Sequence, residues 1–276
     1  MSMEAALQRR VQRYGWDKAA EHYEGLWHRQ LRPAQDLLLQ MADLKRGERV
    51  LDIACGTGLV SFRAGDKVEE YGHVLGTDIS DKMIAIATSL AMEKKISNIR
   101  FARMDAEFLD LPDNSFDVAL CALGLMYLPD PLKALQEMYR LLRPSGRAVA
   151  AVWGQKDHCG WASLFGIVDK RVSSEVCPLF FQLGNPGISK ASFHAAGFVH
   201  INTRIIGCVL HYDSPEEACG AAFTAGPVAL AYHKFSDQVK EEVNAEYLAS
   251  VAQYQTTDGF DIPGEFVVTA GSKGGK

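Results

Sequence analysis

VLDIACGTGLV, residues 50–60, is an apolar run closed by a glycine-rich turn. With Arg49 it reads as a short buried strand, and a helix follows the turn. Small residues at such a turn let backbone N–H groups come close to a ligand. Loops that bind dinucleotides use the same physics, so spacing has to separate the two cases. The dinucleotide fingerprint puts a third glycine at position 61, where this chain has Ser61. Asp52, four residues before Gly56, is also foreign to that fingerprint. A carboxylate there suits a cationic group such as an α-ammonium better than a pyrophosphate.

Strand and helix signals alternate outward from this turn. Strands are predicted at 48–54, 73–78, 99–104, 116–122 and 146–153, with helices at 58–70, 80–96 and 131–143 between them. Ser80 is placed to cap the second helix, and Asp130-Pro131 supplies a cap and a first-turn proline for the third. Leu132, Leu135, Met138 and Leu142 give that helix an apolar stripe, and Pro144-Ser145-Gly146 ends it. Upstream, residues 3–44 read as helical, with Ala20, Tyr23 and Trp27 at helical spacing. Pro33 is expected to divide this stretch, a second helix running over 34–43. Beyond Trp153 the rhythm loosens: 154–186 lacks a clear period, a helix is expected at 187–196, a long strand at 199–211 and a last strand at 263–270. Alternation of this kind implies a doubly wound α/β fold, a mostly parallel sheet covered on both faces. The organisation expected is an N-terminal helical cap over 1–45 and a ligand-binding domain over 46–276. Excursions at 154–186 and 212–262 would close over the carboxyl ends of the strands, the edge at which open α/β sheets bind ligands.

Two more acidic positions lie on that edge. In GHVLGTDIS, residues 72–80, Asp78 ends the second strand, where ribose hydroxyls can donate to it. In RMDAEFLDLP, residues 103–112, Asp105 follows the third strand, within reach of an adenine amino group, with the Ala106 N–H available to a ring nitrogen. VLDIACGTG, GTDIS, MDAEFLDLPDNSFD, ALGLMYLPD and LLRPSGRAVAAVW, in this order and spacing, resemble the class I S-adenosylmethionine-dependent methyltransferases. Within them the chain looks most like the ubiquinone/menaquinone C-methyltransferase-like group, over roughly residues 46–153. The resemblance implies a Rossmann-like, seven-stranded, mostly parallel sheet with one antiparallel strand, and S-adenosyl-L-methionine as cofactor. It implies that Asp52, Ala54, Gly56 and Gly58 surround the methionine part and that Asp78 binds the ribose. Ile79 and Met83 would flank the adenine, Asp105 and Ala106 would bind its edge, and the Cys121 backbone would meet the amino group. N-terminal helices in this family cover the cleft, which brings the faces of Tyr14, Tyr23 or Trp27 to the sulfonium for a cation–π contact of ~1–2 kcal/mol. Members of the group carry Arg-Asn after the fourth strand; this chain has Met126 and Tyr127 there, which leaves the acceptor ring open.

Composition narrows the function further. A net charge of −5 without a basic patch gives no footprint for nucleic acid. The six cysteines form no CxxC pair and no zinc-ligand spacing, so free thiols, a reducing cytoplasmic setting and no metal are expected. Neither a signal peptide nor an apolar run long enough to span a membrane is visible. Tyr127 and His158, after the fourth and fifth strands, are the candidate catalytic side chains. A nicotinamide oxidoreductase is disfavoured by Ser61, by Asp52 and because no Tyr-x-x-x-Lys pair follows the glycine turn. A non-catalytic module that binds the nucleoside is the alternative from another class. The expected reaction is methylation of a small molecule by a monomer or homodimer. Acceptor choice is assigned to the segments after residue 153, which carry Trp161, Phe165, Leu179, Phe180 and Phe181.

Overall fold

The computed structural model describes residues 2–172 and 179–275. Its chain order is α1 (Ser2–Ala42), β1 (Arg49–Ile53), α2 (Leu59–Val68), β2 (His73–Asp78), α3 (Asp81–Glu93), β3 (Ile99–Arg103) and β4 (Phe116–Ala122). There follow α4 (Pro131–Leu141), β5 (Leu142–Trp153), α5 (Ser163–Asp169), α6 (Ile188–Ala195) and β6 (Val199–Tyr212). The chain closes with α7 (Pro215–Cys219), α8 (Ala229–Tyr232), α9 (Asp237–Val251), β7 (Gln255–Thr256) and β8 (Gly259–Ser272). The strands form one sheet in the order β3-β2-β1-β4-β5-β8-β6, with β7 paired to β8 off that path. β1 runs parallel to β2 and β4, whereas β8 is antiparallel to both β5 and β6. This is the expected doubly wound sheet, with the two-residue β7 as an eighth strand. Strand order reverses between β1 and β4, so the crevice of the fold opens at their carboxyl ends.

Local signals place the helices as the sequence implies. The Ser80 hydroxyl accepts the Met83 N–H at 3.1 Å, and Asp130 accepts the Lys133 N–H at 3.0 Å. On α4 the buried stripe is Ala134, Leu135, Met138 and Leu141; Leu132, placed on it by the sequence reading, is 36% exposed. Leu142 already belongs to β5, which absorbs Pro144-Ser145-Gly146 through a shift in register opposite Phe116–Val118, with Ser145 at φ 65°.

Pro33 does not divide the N-terminal segment. α1 is one helix of 41 residues with Pro33 inside it. The ring removes one helical hydrogen bond and crowds the preceding turn, at a cost of about 3 kcal/mol. Burial on either side offsets this: Leu31, Ala34, Leu37 and Leu38 share the hydrophobic core with strand residues Val50, Leu51, Leu120 and Val149. Gln30 adds a two-way bond to the backbone of His211, its amide donating to the carbonyl and its Oε1 accepting the N–H at 3.1 Å. Arg147 of β5 fastens the far end of α1, donating to the Asp43 carbonyl at 2.9 Å and pairing with Glu48 at 2.7 Å.

The last strand begins four residues earlier than expected, at Gly259, because Phe260 and Ile262 bury on one face of it. Among the described residues no helix is long and apolar enough to cross a membrane. Cys55, Cys121, Cys159, Cys208 and Cys219 are free thiols; Cys177 lies outside the described residues. Because Leu38 is fully buried against the sheet, Leu38→Ala is expected to lower the unfolding free energy by about 2–5 kcal/mol in urea denaturation. Leu7→Ala, on an exposed face of the same helix, is expected to stay within about 0.5 kcal/mol of wild type.

Candidate cofactor and acceptor site

The turn after β1 is built from left-handed backbone. Ala54, Gly56 and Gly58 have φ of 53°, 55° and 90°. Gly58 starts α2, and a Cβ there would stand 2.9 Å from both Phe62 and Phe101, so this glycine serves packing behind the loop. Gly56 faces the cavity instead, with the Tyr23 ring 3.6 Å from where its Cβ would be. Ala54 holds its conformation without a glycine's freedom. It is pressed against Gly124, where a Cβ would come 2.4 Å from the Ala54 Cβ and 2.9 Å from the Cys121 sulfur. The ends of β1 and β4 thus meet closely enough to form one floor.

Three carboxylates stand behind or beside that floor. Asp78 is buried and accepts the Gly56 N–H through Oδ2 and the Ser80 N–H through Oδ1, each at 2.9 Å. Burial raises its pKa, and the backbone donors partly oppose that shift. Asp52 accepts the Ser61 hydroxyl at 2.5 Å through Oδ2, while its buried Oδ1 has no partner among the described residues. Burial pushes the Asp52 carboxyl up to about 7, against the Ser61 hydrogen bond. Asp105 accepts the Glu107 N–H at 2.9 Å and lies 3.2 Å from the Arg9 Nε. Arg9 also pairs with the fully buried Glu107, whose second oxygen accepts the Asp130 N–H at 2.8 Å. The Tyr23 phenol is held above its ordinary pKa, chiefly by burial and then by the charges of Asp78 and Asp52.

Above the floor lies a cavity open at its mouth. Of the residues singled out from sequence, Tyr23, Ala54, Gly56, Asp78, Ile79, Met83, Asp105, Ala106 and Tyr127 line it together. Asp52, Gly58 and Cys121 sit behind the lining, with burial raising the Cys121 thiol to about 12. Two side chains are not brought to it. Tyr14 is 47% exposed with its ring under the Arg13 guanidinium; it lies nine residues from Tyr23, half a turn out of phase on an α-helix. His158 follows β5 in a short 3₁₀ turn that directs its Nδ1 to Glu265 at 2.7 Å, outside the cavity lining. The roof is α1, through Arg9, Gln12, Trp16, Tyr23, Trp27 and Leu31. Arg9, Gln12 and Trp16 escaped the sequence reading. Continuing the spacing of Tyr23 and Trp27 toward the N-terminus finds them. The end away from the carboxylates is apolar, with Trp153, Trp161, Leu164 and Phe180 on its wall.

Residues 44–162 match a family model described as a methyltransferase domain. The demethylmenaquinone methyltransferase of Listeria welshimeri is 32% identical over 177 residues, 59% of this chain and 75% of that protein. The ubiquinone/menaquinone biosynthesis C-methyltransferase UbiE of Azotobacter vinelandii is 40% identical over 146 residues, 52% of this chain and 56% of that protein. Class I S-adenosylmethionine-dependent methyltransferases, in the ubiquinone/menaquinone C-methyltransferase-like group, are the family to which this chain belongs. The YcgJ protein of Bacillus subtilis has the same fold, with a TM-score of 0.62 at 22% identity over 89% of this chain and all of that one. Phosphoethanolamine N-methyltransferase 2 of Haemonchus contortus, solved with S-adenosylmethionine, gives 0.62 at 20% identity over 94% of this chain and 57% of that one.

The cofactor of the methyltransferase is S-adenosylmethionine, and the donor set here fits it. An unpartnered buried carboxylate oxygen, a glycine cradle and two more carboxylates would suit a molecule with an ammonium group, hydroxyls and a base. Asp52 also sets a pH dependence of the ligand-free methyltransferase. Its proton is held more tightly in the folded chain, at about 7, than in the unfolded one, at 3.8. The stability this protonation contributes is complete below the unfolded value and is lost as pH rises through about 7. Urea denaturation across that window is expected to show wild type losing stability relative to Asp52→Asn as pH rises. Parallel curves for the two proteins would mean that Asp52 is ionised throughout.

Proposed function

We propose that this methyltransferase transfers the cofactor's methyl group to a neutral, largely apolar small molecule carrying a flat ring. The observation behind this reading is that the cavity has two ends of opposite chemistry. Arg9, Asp78 and Asp105, its charged lining residues, lie at the cofactor end, while Trp153, Trp161, Leu164 and Phe180 wall the other. Asp78 would receive the ribose hydroxyls, Asp105 and the Ala106 N–H the adenine edge, and Ile79 and Met83 its faces. Asp52, Ala54 and Gly56, with the Cys121 backbone, would hold the amino-acid part, and Gly58 shapes the turn that presents Gly56.

When bound, the cofactor supplies an electrophilic methyl group on a positively charged sulfur. The chain's own residues have two tasks, to align the acceptor and to keep water out. Tyr127 would serve the first; it stands edge-on to Trp16 at 5.1 Å and to Phe180 at 5.3 Å, where roof and apolar wall meet. Ring faces of Trp16 and Tyr23, themselves in edge contact at 5.8 Å, suit a sulfonium. The acceptors named for the relatives, demethylmenaquinones, are of the proposed class. Met126 and Tyr127 replace that group's Arg-Asn, so the ring accepted here need not be theirs.

Radiolabelled methyl transfer tests the reading. Label is expected in a reduced demethylmenaquinone or another neutral ring compound and not in phosphoethanolamine; transfer to phosphoethanolamine alone would overturn it. On the cofactor side, Asp78→Ala is expected to weaken S-adenosylmethionine binding by about 1.5–3 kcal/mol in calorimetry, through the loss of charge-assisted bonds. An unchanged dissociation constant would leave Asp78 as an anchor of the loop only.

A further inference from the structure

Trp161 stands on the apolar wall with a fully buried donor that meets no acceptor among the described residues. The residue lines the cavity and is 3% exposed, and its Nε1–H is buried without a hydrogen-bond partner. Leaving a buried donor unsatisfied is costly, which is why native interiors pair nearly all of them. The rings packed around this indole have no acceptor atom to offer. Trp153 stands 4.7 Å away, Phe180 and Phe181 each 5.7 Å and Phe165 6.1 Å, centroid to centroid. Trp153 carries a donor and no acceptor. Phe180, perpendicular to the indole, presents at best a weak π-face.

Trp161 belongs to a cluster of mutually packed rings in which Phe165, Phe180 and Phe181 carry no polar atom. What distinguishes it from its phenylalanine neighbours is one buried, unpaired N–H held in a fixed direction on that wall. Sites of this kind obtain affinity from apolar area and orientation from a small number of polar groups.

Resting on the ring-acceptor reading above, we infer that Trp161 is the specificity-determining donor of the acceptor subsite: its Nε1–H bonds a carbonyl, ether or hydroxyl oxygen carried by the ring compound. That bond sets which edge of the ring turns toward the cofactor end. A ring lacking the oxygen still fits among Trp153, Leu164 and Phe180, but leaves the indole donor as unpaired as before.

The test compares two ligands of one skeleton, α-tetralone, a two-ring ketone, and tetralin, which lacks the oxygen. Binding is measured by calorimetry with the cofactor end saturated by S-adenosylhomocysteine. Wild type is expected to bind α-tetralone about tenfold more tightly than tetralin. Trp161→Phe is expected to bring the two together while its affinity for S-adenosylhomocysteine stays unchanged. Equal affinities in wild type, or a preference that survives Trp161→Phe, overturn the inference and leave the ring-acceptor reading standing. Binding of neither compound overturns both. Should Trp161→Phe fail to fold, the wild-type protein still decides. With ¹⁵N-labelled tryptophan, one indole N–H resonance is expected to move downfield with α-tetralone and not with tetralin; no such movement overturns the inference.

Discussion

Both oxygens of the buried Asp78 carboxylate are taken up by backbone, one by the Gly56 N–H and one by the Ser80 N–H. A single charge thereby joins the turn after β1, the end of β2 and the start of α3. Taking a carboxylate out of water is expensive unless fixed donors replace its hydration, and two N–H groups at 2.9 Å do so here. The corner they make carries the roof as well, since Asp17 of α1 accepts the Ser80 hydroxyl at 2.6 Å and the Lys82 N–H at 3.1 Å. The positive φ of Ala54 is tolerated because β4 closes on it through Gly124. The loop geometry is therefore set by the protein rather than by a ligand, which limits the ordering cost of binding.

What could be read from the chain alone follows how local each determinant is. The strands from β1 to β4 and the caps at Ser80 and Asp130 depend on neighbours a few residues away, and they stand where the sequence puts them, whereas β5 starts four residues early at Leu142. Pro33 shows the limit of a local rule: the helix-breaking residue is overruled by Leu37 and Leu38 burying against strands far along the chain. Pro263 marks the same limit, since a proline is expected at a strand's edge or start and here stands four residues inside β8. It sits inside β8, beyond the last pair with β5 at Trp153–Phe266, where that ladder has ended.

The site divides along similar lines. Asp52, Asp78 and Asp105 are fixed by their offsets from strand ends, which sequence displays directly. The roof was only half legible, because Arg9 and Gln12 are polar residues on the cavity-facing stripe of α1, and an apolar pattern passes over them. His158 was chosen for its closeness in sequence to the end of β5, but one 3₁₀ turn suffices to swing it to Glu265 on β8. The aromatic wall drew on residues from the segment after β5, whose lack of period hid their convergence: Trp161, Phe165, Phe180 and Phe181 are joined only by tertiary packing.

The two-way bond between Gln30 and the His211 backbone spans 181 residues, and it has a consequence for how the chain is made. Synthesis delivers α1 well before β6. At roughly 5–20 residues per second, α1 waits on the order of 10–40 s for that partner to leave the ribosome. During the wait its stripe of Leu31, Leu37 and Leu38 has no sheet to cover it, and the roof over the cavity has no far support. Completion of the binding chamber is therefore a late event in the life of a nascent chain, and α1, made long before β6, is among the last of these parts to find its place.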